Sequence, residues 1–157
     1  SDLFHREVPL EFLADCFTTM VRAWEHKFQI LTKRLDIAEA RLKRLFCWVS
    51  ESGKDEAIIT AEDNRVHDGA LPFRLSDYPN VWLGVSVENQ ATADARLPVL
   101  TRIPAAVRFI SVEPLLGPVD LREWLWATAG PDPHASWVKA AIVGGESGPG
   151  ARPCNIK

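Results

Sequence analysis

Three short apolar runs with a shared ending set the tightest limit on how this chain folds. They are Val81-Trp-Leu-Gly-Val-Ser-Val-Glu88, Val107-Arg-Phe-Ile-Ser-Val-Glu113 and Lys139-Ala-Ala-Ile-Val-Gly-Gly-Glu146. Each is rich in apolar residues, too short for a helix, and finishes on a small residue followed two positions later by glutamate. Such runs predict buried strands, and helical patterns between them predict βαβ units with a parallel sheet. A sheet of that kind is covered by helices and crosses over right-handedly. The fold class expected is therefore α/β, built from parallel strand–helix repeats. An open doubly wound sheet and part of an incomplete, TIM-like β/α barrel both fit.

The rest of the chain agrees with this alternation. Leu10, Leu13, Phe17, Met20, Val21 and Trp24 recur at helical spacing after Pro9, which suits a first turn. Phe28-Gln-Ile-Leu-Thr32 reads as a strand ending in Lys33-Arg34. A second helix is expected from an N-cap at Asp36 through Leu42, Leu45 and Val49 to Gly53. Residues 51–79 are charged and broken by Gly69, Pro72 and Pro79. They read as a long loop or insertion, with room for one short strand at Ala57–Thr60. A helix is expected over Gln90–Leu100, kinked or ended by Pro98, and a helical turn near Asp120–Trp126 before Gly130-Pro-Asp-Pro133. The strands at 28–32, 81–87, 107–112 and 140–145 are expected to lie parallel and side by side in sequential order.

The strand endings point to a site. Side chains alternate along a strand, so Gly84, Ser86 and Glu88 share one face while Val81, Leu83, Val85 and Val87 take the other. The same parity sets Ser111 with Glu113 and Gly144 with Glu146. In parallel architectures, sites form at the carboxyl ends of the strands. Glu88, Glu113 and Glu146 are thus the candidate catalytic groups, converging on one cavity with Gly144-Gly145 in its wall. Crowded carboxylates raise one another's pKa or recruit a cation, and either outcome serves chemistry. Lys33, Arg34, Ser86, Asn89, Ser111, Gly144, Gly145, Ser147 and Arg152 are the candidate ligand contacts around them. Asp2 and His5 join the set if a strand precedes residue 1. The plainer alternatives are a glutamate that caps the next helix or pairs with Arg96, Arg108 or Arg152, a solvated Lys33-Arg34 pair, and a tight turn at Gly144–Gly150. That glycine segment has neither dinucleotide-fingerprint nor P-loop spacing, although a run of free N–H groups after a strand can cradle an anion.

Composition narrows the function classes. The net charge is −3, from 18 Lys and Arg against 21 Asp and Glu, which argues against a broad nucleic-acid footprint. No apolar run approaches the roughly 20 residues needed to span a bilayer, so no membrane partner is expected. Cys16, Cys47 and Cys154 are scattered, which predicts reduced thiols, a cytoplasmic location and no metal site. The six Trp residues read as core fillers.

Five blocks also carry a resemblance. Residues 1–5 (Ser-Asp-Leu-Phe-His), 28–34 (Phe-Gln-Ile-Leu-Thr-Lys-Arg), 80–90 (Asn-Val-Trp-Leu-Gly-Val-Ser-Val-Glu-Asn-Gln), 111–118 (Ser-Val-Glu-Pro-Leu-Leu-Gly-Pro) and 144–153 (Gly-Gly-Glu-Ser-Gly-Pro-Gly-Ala-Arg-Pro) occur in order. They resemble a family of uncharacterised phage-associated bacterial proteins that look like distant relatives of radical S-adenosylmethionine barrel enzymes. The resemblance leaves out residues 35–79. It implies a single α/β domain over residues 1–157, truncated at both ends. Family members carry a Cys-x-x-Cys-Tyr-Ala segment upstream of the first block and continue past the last; where they have Pro after Lys-Arg, this chain has Leu35. An iron–sulfur cluster and S-adenosylmethionine are therefore expected only in a full-length relative, and no cofactor in this chain. The resemblance implies a small or nucleotide-like ligand at the strand ends. The competing readings are a non-catalytic phage accessory or nucleic-acid-associated binding protein, and an inactive truncated remnant.

Overall fold

A computed structural model describes residues 2–52, 75–125 and 138–152, with only the backbone of residues 46–52. The chain runs α1 (Leu10–Arg22), β1 (Phe28–Thr32), α2 (Leu35–Ser52), a 3-10 turn (Leu75–Asp77), β2 (Val81–Ser86), α3 (Gln90–Arg102), β3 (Val107–Val112), α4 (Arg122–Leu125) and β4 (Ala140–Val143). The strands form one parallel sheet in the order β1-β2-β3-β4. Strand type, direction and order are those the sequence predicts. Among the described residues the sheet does not close on itself, so the observed architecture is a parallel α/β sheet. The expected strand at 57–60, the bulk of the 51–79 segment, Trp126 and the Gly130–Pro133 turn lie outside the described residues.

Burial explains why these segments take these forms. Leu13, Ala14, Phe17 and Val21 are the buried residues of α1, spaced by one, three and four positions, so one stripe of the helix faces inward. Val81, Leu83 and Val85 on one face of β2, and Val87 just past its end, are fully buried, joined by Ile30, Ile110 and Val112 in a single core cluster. Ala38, Leu42 and Leu45 of α2 and Ala93, Leu97 and Leu100 of α3 complete that cluster. Phe4 is also buried in it, which fastens the segment before α1 to the domain.

The other face of the sheet is different. Leu31 and Ile142, on the two edge strands, are 43% and 41% exposed there. Phe109 is buried yet stands apart from the core cluster, with its ring directly over Gly84 of the paired strand. The small-and-polar face expected on β2 is thus filled at its middle by an aromatic ring, and polar only toward the strand end.

Three boundaries depart from expectation. α2 begins at Leu35, so Asp36 lies in the first turn, where its charge favours the helix dipole. α3 runs through Pro98 to Arg102: a proline costs one backbone hydrogen bond, and Leu97 and Leu100 on either side are buried. The strands end at Ser86, Val112 and Val143, before the glutamates.

Asn89 is the N-cap of α3. Its side chain accepts from the Thr92 N–H at 3.0 Å, and the Thr92 hydroxyl accepts in return from the Asn89 N–H at 3.1 Å. Such a reciprocal box satisfies donors the helix itself leaves open. Asn89→Ala is expected to cost about 1 kcal/mol in denaturant unfolding, and Asn89→Ser only a fraction of that. Equal losses for both would show that the amide serves something other than the cap.

Candidate functional site

The carboxyl ends of the four strands gather most of the candidate residues, each tied to local partners. At the end of β1, the Thr32 hydroxyl donates to both oxygens of Asp2, at 3.1 and 2.9 Å. Asp2 also accepts from the Phe4 N–H at 3.0 Å and lies 3.8 Å from Arg34 Nε. These bonds fold the first residues back onto the strand end. His5 accepts from the Glu7 N–H through Nδ1 at 3.4 Å. It belongs to the turn that leads into α1.

Glu88 is the best-held group. Lys33 Nζ lies 2.5 Å from its Oε1 and Arg96 Nη1 lies 2.9 Å from its Oε2. The same Arg96 nitrogen donates to the Ser86 carbonyl at 2.7 Å, which fixes the guanidinium between strand and helix. Burial pushes the Glu88 carboxyl up, but the Lys33 hydrogen bond and the charges of Arg96 and Lys33 push it further down, so it ends below its ordinary value. A carboxylate held by two cations is a poor proton donor at neutral pH and a good fixed charge. Arg96, unlike Lys33, is not among the sequence-predicted contacts except as a plain pairing partner. A signal exists: seven residues past the N-cap is two helical turns, which returns Arg96 to the side that faces the strand end.

Glu113 is placed otherwise. The Ser111 hydroxyl donates to its Oε2 at 3.3 Å, and its Oε1 lies where a Cβ on Gly144 would stand. Glycine at 144 is what lets the carboxylate extend across the end of β4. The main chain after it binds both neighbours: the Leu115 N–H donates to the Gly144 carbonyl and the Leu116 N–H to the Glu88 carbonyl, each at 2.9 Å. Ser86 and Ser111 are buried beneath, at paired positions of β2 and β3.

Glu146 accepts three bonds from Arg152, from N at 2.9 Å, Nε at 2.8 Å and Nη2 at 2.9 Å. These bonds hold its carboxyl down at about 2. They close the loop of residues 146–152, in which Gly148 and Gly150 take left-handed φ values of 102° and 81° that favour glycine. Ser147 is exposed on that loop, and Gly145 precedes it. The three glutamates therefore stand at the ends of adjacent strands, yet each has its own partner. Among the described residues no hydrogen bond or ion pair joins Lys33, Arg34 or Asp2 to Glu113 or Glu146.

A cavity of about 440 Å³ opens elsewhere, beside the first turn of α3, lined by Gln90, Asp94, Asp120, Arg122, Glu123 and Trp124. None of the strand-end candidates lines it. Among the described residues no helix is long and apolar enough to cross a membrane.

No curated protein and no solved structure gives a significant match to the chain. A family model does match, across residues 1–157, and on that match the chain belongs to the family described as "Protein of unknown function (DUF5131)".

Proposed function

We propose that this chain supplies the ligand-binding end of an incomplete β/α barrel of the phage-associated kind, taking a small or nucleotide-like molecule at the carboxyl ends of its strands. One observation carries the reading. Four adjacent parallel strands all finish in polar groups at the same end, and one of them, Glu113, projects over a glycine with only a serine hydroxyl bonded to it among the described residues. Parallel sheets place their ligands at that end, and an accessible carboxylate there accepts hydroxyl or amino donors.

The resemblance to radical S-adenosylmethionine enzymes makes a nucleoside-bearing ligand part of the same proposal. The described residues do not fit the iron–sulfur cluster of such enzymes, which needs several thiolates gathered together. Cys16 stands within α1, where burial and Asp15 push its thiol up rather than toward thiolate. No three His, Cys, Asp or Glu side chains among the described residues form a metal-holding group.

The test is a melting-shift screen of the protein as its gene encodes it, against nucleosides, nucleoside monophosphates, amino acids and sugar phosphates. Hydrogen exchange then locates the hit. Protection at residues 32–34, 86–89, 111–116 and 144–147 is the expected result. Protection confined to other elements, or no hit at millimolar concentration, defeats the proposal. Salt-dependent binding of single-stranded DNA without any small-molecule hit would replace it with the nucleic-acid reading.

A further inference from the structure

We infer that the strand-end site selects a bipolar ligand, with an anionic group over the ends of β1 and β2 and an amine or hydroxyl donor held by Glu113 over β3 and β4. This rests on the ligand-binding reading and gives the ligand a chemical class.

The argument is the division of charge. At the ends of β1 and β2 three cations, Lys33, Arg34 and Arg96, face two carboxylates, Asp2 and Glu88. At the ends of β3 and β4 two carboxylates, Glu113 and Glu146, face one cation, Arg152. The surplus on each side belongs to an identifiable group.

On the first side it is Lys33. Arg96 is the fixed partner of Glu88, since its guanidinium also bonds the Ser86 carbonyl and its side chain is only 24% exposed. Lys33 is 55% exposed, and among the described residues its ammonium is bonded to Glu88 alone. It can turn to an incoming anion while Arg96 keeps Glu88 compensated, so no carboxylate is left buried without a cation. An ammonium on a flexible stem suits a phosphate or carboxylate as a point charge.

On the second side the surplus is Glu113. Glu146 is fully engaged by Arg152, whereas Glu113 lies over Gly144 with the Ser111 hydroxyl as its bonded partner among the described residues, and it is exposed to solvent. A carboxylate in that position accepts N–H or O–H donors and repels anions.

The ends of β1 and β3 are two strand spacings apart, about 10 Å. A 5′-nucleoside monophosphate with an amino-bearing base has this layout, its phosphate at one end and N–H donors at the other.

The experiment measures calorimetric affinities of the gene-encoded protein for AMP, adenosine and purine riboside 5′-monophosphate. Adenosine lacks the phosphate, and the purine riboside lacks the amino group. AMP is expected to bind about tenfold more tightly than either, one charge-assisted hydrogen bond being worth roughly that factor. Lys33→Met should erase the preference over adenosine and keep the other. Glu113→Ala should erase the preference over the purine riboside and keep the first. Equal affinities in the wild type, or preferences that survive these changes, overturn the inference. If a variant melts early, the wild-type ratios decide alone. If AMP fails while another screened compound protects the strand ends, the bipolar assignment falls and the ligand-binding reading stands. If no compound binds, both fall.

Discussion

Gly84→Ala is expected to destabilise the protein by about 2 kcal/mol and to lower its melting temperature by several degrees. The reason is local and steric. A Cβ at position 84 would overlap Cζ, Cε1 and Cε2 of Phe109, whose ring lies across the glycine from the paired position of β3. Phe109 is 2% exposed, so the ring is enclosed by other atoms and does not stand in solvent, and well-packed interiors transmit such strain. On propensity alone alanine suits a strand slightly better than glycine, so a neutral or stabilising result would show that the ring yields. The decisive check is a double-mutant cycle with Phe109→Leu, which removes the overlapping atoms. The double mutant should be less destabilised than the two singles together predict. Additivity would mean that the ring is not the obstacle.

Glu88→Ala should cost about 2 kcal/mol at neutral pH, because it leaves Arg96 half-buried beside Lys33 with no carboxylate between them. The loss should depend on pH in a definite direction. The folded-state carboxyl lies below its ordinary value of 4.5, so Glu88 contributes its stability above that value. The contribution fades as pH falls through the lower, folded-state value. Denaturant titrations of wild type and variant should therefore differ fully at pH 7 and converge once both states of the wild-type carboxyl are protonated. A gap that stays constant to low pH would assign the cost to lost packing and not to the charge triad. Glu88→Gln separates the two further, since it keeps the shape and removes the charge.

The strands were legible because their signal is local. Phe28–Thr32 and Val81–Ser86 are short apolar runs beside turn residues, and such runs pack well on a pleated, buried surface. Order and direction followed from short crossovers. The filling of Gly84 was not legible, because it depends on the register that sets Phe109 against Gly84, and register is a property of two strands together. At the strand ends the sequence offers pairing of a glutamate with Arg96, Arg108 or Arg152 as the plainer alternative, and Arg96 with Glu88 and Arg152 with Glu146 are found; which glutamate takes which cation, and that Lys33 joins Glu88, depends on side-chain reach in three dimensions. Asn89, a candidate ligand contact in the sequence, serves as a helix cap. The Asn-x-x-Thr spacing held that signal, since a polar residue before a helix with a hydroxyl three positions on predicts a reciprocal cap. The segments at 53–74 and 126–137 lie outside the described residues.

The segment that follows β3 has a consequence for how such a site changes over generations. Its ties to both neighbouring strands are made by main-chain N–H groups, Leu115 to the Gly144 carbonyl and Leu116 to the Glu88 carbonyl. Every residue except proline can make those bonds, so the anchor tolerates substitution at both positions while the backbone stays where it is. Leu116 is 41% exposed and can vary with little packing penalty. If the proposed ligand binding holds, its preference can then drift by side-chain replacement on a frame held by main-chain bonds. A library randomised at Leu116, with proline left out and Leu115 kept because it packs against the core, is the economical place to test that proposal.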